Sequence, residues 1–319
     1  MIGIITRFAL VATVLFAELP AGAQAPLTVV HVASGMDDNA APVLYAQRTG
    51  MFRRAGLDVQ LEKMNSGAAV SAAVAGGSID IGKSSLAGLL AAHQKGLPFT
   101  LVAPAGLYVS DRPYGALVVP LASSLRGAAD FDGKTIAVAG LRDIVVIATD
   151  AWIDQHGGNS ASLKYIELAP VDSMYAIEQG RIDAAVLINP MLEEAKESGK
   201  ARVAFPFYDG IGKRFLSAAW FANTDYVNTH RDVVAKFAAV MKDAEAYCNA
   251  HPNDTVNDIA TYTGLAPALI AHMIHPLYPE ALDPADIQPV IDTAVKYKLL
   301  DHGFDAGDVI SPVAVKARS

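Results

Sequence analysis

The sequence predicts an α/β protein of two similar lobes joined by a hinge that the chain crosses twice. Three observations lead there: a long internal repeat, strands alternating with short helices, and a helical tail. Ala73-Val74-Ala75-Gly76-Gly77-Ser78-Ile79-Asp80 returns 103 positions later as Ala176-Ile177-Glu178-Gln179-Gly180-Arg181-Ile182-Asp183. Leu57-Asp58-Val59 and Thr28-Val29-Val30 find counterparts 106 positions on, in Leu163-Lys164-Tyr165 and Lys134-Thr135-Ile136. Solenoid repeats run about 20 to 50 residues, so a repeat this long is a whole subdomain. Two lobes leave a cleft, and clefts between lobes are where small molecules bind.

The elements follow in order. Leu27 to Ala33 reads as a strand, then a polar turn leads into a helix opening near Pro42, a residue suited to a first turn. A strand covers Leu57 to Leu61, a small-residue helix Ser66 to Ala75, and a strand Ile79 to Gly82. Helix Leu86–His93 and strand Phe99–Ala103 complete the series, which implies βαβ units and a mostly parallel sheet. Around Tyr108–Pro113 the pattern breaks and the second lobe begins. It repeats the scheme with strands Thr135–Ala139, Leu163–Leu168 and Ile182–Ile188, and helices Ile144–His156, Ser173–Gln179 and Met191–Ser198. A strand at Phe215–Phe221 follows, and after Asn223 the chain is helical to about Leu300. Those helices need a surface to cover, and the first lobe offers one. The expected division is residues 26–112 with 222–319 as the first lobe and 113–221 as the second. The crossings are expected near Ser110–Tyr114 and Ser217–Asn223. Paired crossings form a hinge, and hinge closure around a ligand is a standard transition.

Composition narrows the classes. The 319 residues are 52% hydrophobic and 18% charged, with a formal net charge of −8, which suits a large core and not a disordered chain. The acidic excess and the absence of basic runs with interleaved aromatics argue against nucleic acid. At the N-terminus, Arg7 precedes the apolar run Phe8 to Ala17, then Pro20 and the small-x-small triplet Ala21-Gly22-Ala23. This is the layout of a signal peptide over residues 1–23, cleaved after Ala23, and the run is too short to span about 30 Å of hydrocarbon. No cysteine lies near that point, so a periplasmic protein without a lipid anchor is expected. Cys248 is the only cysteine, which rules out an intramolecular disulfide. It continues the helical pattern of Val233 to Met241 and reads as a buried, inert thiol.

Three segments carry a family resemblance. Asp130-Phe131-Asp132-Gly133-Lys134-Thr135-Ile136-Ala137-Val138 resembles the "DLKGKTIAV" segment of bacterial ABC-transporter substrate-binding proteins of the nitrate, taurine, sulfonate and thiamine-precursor type. Pro42 through Gly50-Met51-Phe52 and Gly56-Leu57-Asp58-Val59 resemble that family's "P…A…G-x-F…G-L-D-V" run, and Gly77-Ser78-Ile79-Asp80-Ile81-Gly82 its "G-x-I-D-I-G". Order and spacing match from about residue 27 to 222. The resemblance implies the type II periplasmic-binding fold, capture of a small solute, and delivery to the membrane subunits of an ABC permease. It implies a monomer without a cofactor.

Ligands of open α/β sheets sit beyond the carboxyl ends of the strands, near helix N-termini. That rule selects Ser34 to Asn39 after the first strand, with Met36, Asp37, Asp38 and Asn39 as candidates; helix capping by Asp or Asn is the plainer alternative. It also selects Ser66 and Gly67, whose loop could offer backbone N–H groups to an anion, and Ser84 and Ser85 after the third strand. From the second lobe come Gly140-Leu141-Arg142-Asp143 and Asn189-Pro190, positions that border the cleft in the resembling family. Arg142 is the basic candidate among these loops, able to hold a carboxylate or sulfonate in a fork, with a salt bridge to Asp143 or a surface position as alternatives. Tyr108 and Trp220 sit at the expected crossings, where an aromatic stacks on a ligand or packs the hinge. The expected ligand is a small organic acid, sulfonate or carboxylate, with Arg142 and the Ser66-Gly67 amides on the acid. Met36, Tyr108 and Trp220 would meet its apolar part. Asp37-Asp38 complicates that reading, because two carboxylates suit an amine, a hydroxyl-rich ligand or a zwitterion and oppose an inorganic anion such as nitrate.

Other classes find less support. The fungal thiamine-pyrimidine synthases share the implied fold but carry a cysteine-rich motif, against one cysteine here. No Gly-x-Ser-x-Gly elbow, phosphate loop or dinucleotide fingerprint is present. His272 and His275 could share a helix face, but a metal site needs more ligands, so neither enzyme nor metal site is expected. A binding protein that presents its closed form to a sensor would use the same lobes, and the sequence does not separate it from transport.

Overall fold

The computed structural model describes residues 26–315. The segment read as a signal peptide lies outside them. In the first lobe β1 (Thr28–Gly35), β2 (Leu57–Met64), β3 (Ile81–Ser85) and β4 (Phe99–Val109) alternate with α1 (Ala41–Arg48), α2 (Met51–Arg54), α3 (Gly67–Ala75) and α4 (Leu86–Gln94). The second lobe holds β5 (Gly115–Pro120), β6 (Thr135–Val138), α5 (Ile144–Gln155), β7 (Lys164–Glu167), α6 (Pro170–Glu178), β8 (Ala184–Ile188), α7 (Met191–Glu197) and β9 (Ala201–Phe205). The chain then returns through β10 (Arg214–Asn223) to a tail of α8 (Thr224–Thr229), α9 (Arg231–Ala250), α10 (Val256–Thr263), α11 (Pro267–His272) and α12 (Pro284–Lys296).

The two sheets have one topology. The first runs β2-β1-β3-β10-β4 and the second β7-β6-β8-β5-β9. In each, the strand next to the outermost position is antiparallel to its neighbours, and it is the strand that has just arrived from the other lobe: β10 in the first, β5 in the second. The repeated Gly-x-Ile-Asp motif explains itself here. The Asp80 carboxylate accepts from the His31 N–H at 2.8 Å while the Asp80 N–H donates to the His31 carbonyl. Asp183 does the same to Thr135, again at 2.8 Å. Each aspartate pins the start of the strand in the middle of its sheet, β3 or β8, to the neighbouring strand, β1 or β6.

That register corrects the sequence alignment by two residues. His31 pairs with Gln60 in the first sheet and Thr135 with Lys164 in the second, an offset of 104 and not 106. A slip of two leaves every side chain on its own face, so the apolar pattern alone does not detect it.

The first connection between the sheets runs between Val109 and Gly115. The second lies ahead of β10. β10 pairs with β4 from Arg214 to Asn223 and with β3 from Ala218 to Ala222, so Ser217–Asn223 lies inside the first sheet, and the boundary expected at 221 falls within a strand. The crossing is at residues 206–213, where the Ser110 N–H donates to the Lys213 carbonyl at 2.9 Å and ties the two connections side by side. An aromatic cluster fills this hinge: Tyr108 has its ring centroid 5.1 Å from Tyr208 and 5.2 Å from Phe215, and Tyr114 lies 5.7 Å from Tyr208.

The tail packs on the first lobe, and its last helix also reaches α5 of the second. Phe237 of α9 stacks on Phe52 of α2 at 5.5 Å. Arg214 of β10 grips Asp286 of α12 with two bonds of 2.7 and 2.9 Å, and α12 also packs on α4 and α5. Cys248 is buried in α9, and burial pushes its thiol up to about 12, in keeping with an inert residue.

Candidate functional site

A cavity of about 430 Å³ lies between the lobes, walled by both sheets at the carboxyl ends of their central strands. From the first lobe it takes Met36, Asp37 and Asn39 beyond β1, Ser66 and Gly67 at the start of α3, and Ser84 and Ser85 at the end of β3. From the second it takes Asp143 ahead of α5 and Asn189 beyond β8. Helix N-termini therefore converge on the cavity from both sides, as the strand-end rule anticipates.

Local structure explains why these residues face inward. The Asp37 carboxylate caps the short turn before α1 by accepting from the Asn39 N–H at 3.0 Å. Ser66 caps α3 through the Ala69 N–H, Ser85 caps α4 through the Gly88 N–H, and Asp143 caps α5 through the Val145 N–H. The capping alternative and the cleft position thus hold together. Gly67 is required by close approach: a Cβ there would run into the Ser84 hydroxyl. Asn189 reaches across the cleft, its side-chain N–H donating to the Ile274 carbonyl of the first lobe at 2.8 Å.

Four expected residues are not on this wall. Asp38 is turned away and buried, its carboxylate 2.8 Å from His275 Nδ1 and bonded by the Tyr278 hydroxyl, while Asp37 and Asn39 on either side of it line the cleft. Tyr108 belongs to the hinge cluster, with its hydroxyl donating to Asp209 at 2.9 Å. Trp220 is fully buried in β10, edge-on to Phe237 at 5.7 Å, since the crossing where it was expected lies elsewhere. Arg142 is exposed, and its guanidinium makes one 3.4 Å bond to the Leu299 carbonyl. Asp143 takes the inward place as the helix cap, which turns the preceding Arg142 out. His275 is engaged with Asp38, and His272 bonds its own helix at Ala268, so the two do not meet as a pair.

The sequence reading missed Lys83. It lies on β3 with its side chain 3% exposed, and its ammonium pairs with the Asp37 carboxylate at the cavity wall. A lysine inside a strand buried on both faces is an anomaly that could have been noticed, since charges are rarely buried unpaired. Tyr208 from the second crossing and Thr263 and Leu265 from the end of α10 also reach the cavity.

The electrostatics are unusual for a site meant for anions. Among the described residues, the charged side chains on the wall are Asp37, Lys83 and Asp143. Burial raises the Asp143 carboxyl above the ordinary carboxylate range, against the Val145 N–H and the Ser85 hydroxyl, which favour its charged form. Asn39 and Asn189 each keep a buried side-chain oxygen that meets no donor among the described residues.

The fold is of the periplasmic-binding type, and comparison with known proteins places the chain further. The family model described as NMT1/THI5 like matches residues 37–255, and the chain belongs to that family. It is 25% identical over 228 residues to the taurine-binding periplasmic protein of Escherichia coli, covering 70% of this chain and 68% of that one. It is also 25% identical over 223 residues to a 4-amino-5-hydroxymethyl-2-methylpyrimidine phosphate synthase of Saccharomyces cerevisiae, over 66% of this chain. The chain spans 64% of the length of that yeast relative. In structure it resembles the alkanesulfonate-binding protein of Xanthomonas axonopodis pv. citri, solved with MOPS, with a TM-score of 0.76, 19% identity, and coverage of 90% of this chain and 99% of that one.

Proposed function

We propose that this protein captures a small organic solute between its lobes in the periplasm and delivers it to an ABC permease, without chemically changing it. The observation that carries this reading is the cavity of about 430 Å³ lined from both lobes, the size of a small-molecule site. Polar groups from both sheets converge there, and Asn189 bridges the lobes across it. The ligand favours the closed arrangement because it touches both walls only when they approach, and so shifts the population toward that form. The taurine-binding relative and the sulfonate-binding structural neighbour support transport. The synthase reading suggested by the yeast relatives is less well supported, because the one cysteine is buried in α9 and does not line the cavity.

A thermal-shift screen against amines, amino acids, sulfonates, carboxylates and pyrimidines tests the proposal. Ligand bound to the native state alone raises stability by about 2.7 kcal/mol at a hundred times Kd. Saturable stabilisation by one chemical class, with the compound recovered unchanged, is the expected result. Turnover of the bound compound would contradict it.

A further inference from the structure

The two halves of the repeat differ at one place that decides the charge of the cleft. The paired hydrogen bonds of Asp80 with His31 and of Asp183 with Thr135 fix the register between lobes. The ladders agree, with Ala33 opposite Gly82 and Ala137 opposite Ala185. One residue further on, Lys83 in the first lobe therefore corresponds to Val186 in the second, and both line the cavity. Each lobe also offers one carboxylate to the cleft from a capping position in the loop after the strand beside the middle one, Asp37 after β1 in the first and Asp143 after β6 in the second. In the first lobe the lysine neutralises the aspartate. In the second, valine stands where that lysine would be.

Resting on the solute-capture reading, we propose that the solute carries a nitrogen group, either cationic or rich in N–H donors, received by the Asp143 carboxylate and the Asn189 side-chain oxygen. Both acceptors rise from neighbouring strands of the second sheet, β6 and β8. Asn189 lines the cavity and is 3% exposed; its N–H is committed to Ile274, and its buried oxygen meets no donor among the described residues. Asp143 is half-buried and has no cationic partner among the described residues of the cavity wall, so it attracts a positive charge, and a second negative charge beside it is unfavourable. A cationic nitrogen supplies the positive charge, whereas an acid without one adds the second negative charge. A zwitterion such as an aminosulfonate satisfies the site through its ammonium; a plain sulfonate does not.

Calorimetry with the matched pairs taurine and ethanesulfonate, and benzylamine and benzoate, tests this. At least one nitrogen compound should bind and its acid counterpart should not. Asp143→Asn, close to isosteric, should weaken the bound compound about ten- to a hundredfold, as expected for a hydrogen bond to a charged group. Val186→Lys, which supplies the missing partner, should do likewise while circular dichroism stays native. Binding of ethanesulfonate or benzoate as tightly as its nitrogen partner, or an unchanged affinity in Asp143→Asn, overturns the ligand class and leaves solute capture standing. No binding by any of the four at millimolar concentration, with a nitrogen-free compound binding in the wider screen, likewise overturns the ligand class alone.

Discussion

The Lys83 ammonium and the Asp37 carboxylate form an ion pair on the wall of the cleft, with the lysine side chain almost entirely withdrawn from water. It is the internal counter-charge that keeps the first lobe's side of the site neutral. Removing one partner of a buried pair strands the other, at a cost of about 3–5 kcal/mol. Asp37 keeps 23% of its side-chain surface exposed, so Lys83→Met should lie at or below the lower end. Urea denaturation measures it, and Asp37→Asn in the same background should recover part of the loss.

Gly67 and Ser84 should behave as a coupled pair. A methyl at Gly67 meets the Ser84 hydroxyl, so Gly67→Ala should destabilise by about 1–3 kcal/mol, the usual cost of overpacking. Adding Ser84→Ala removes the obstacle and should restore most of that stability. A double-mutant cycle with no coupling would contradict the close approach.

His275 gives the stability a pH dependence of definite sign. Burial disfavours its charged form, but the hydrogen bond and charge of Asp38 outweigh that, and its pKa is raised. Arg112 opposes the shift and the Tyr278 hydroxyl shares the Asp38 carboxylate. The charged pair therefore contributes fully below the unfolded histidine value, about 6.5. That contribution is lost as pH rises through the higher folded value. Unfolding free energies measured on either side of neutrality should show the decline in the native protein, and it should flatten in His275→Gln.

Arg142 and Trp220 should separate stability from binding. Arg142→Ala removes an exposed side chain with one long bond, so stability should change by no more than about 0.5 kcal/mol and affinity not at all. Trp220→Ala empties a fully buried site and should cost about 3–5 kcal/mol. Thermal melts and titrations of the two variants side by side check both statements.

These contrasts also mark what the sequence makes legible. The lobes, the tail and the strand-end loops follow from apolar periodicity and capping residues, which act locally. Met36, Asp37, Asn39, Ser66, Gly67, Ser84, Ser85, Asp143 and Asn189 lie in those loops, and all line the cavity. β5 and β9 were not anticipated, because they are short segments whose strand character comes from pairing with each other and with β8. Trp220 and Tyr108 were misplaced because an aromatic near a crossing fits a core as well as a ligand. Arg142 was misplaced because neighbouring residues in a cap loop point in opposite directions, and only tertiary packing decides which faces inward. Val186 acquires meaning only once the register is known to one residue, which period-two patterning does not supply.

The central claim is that a solute is held by both lobes at once. Amide hydrogen exchange, with and without the compound that most raises the melting temperature, tests it most directly. The account predicts that amides at residues 35–39 and 65–68 of the first lobe and 139–145 and 189–191 of the second slow together on binding. Protection confined to one lobe, or to a surface away from these loops, would contradict it.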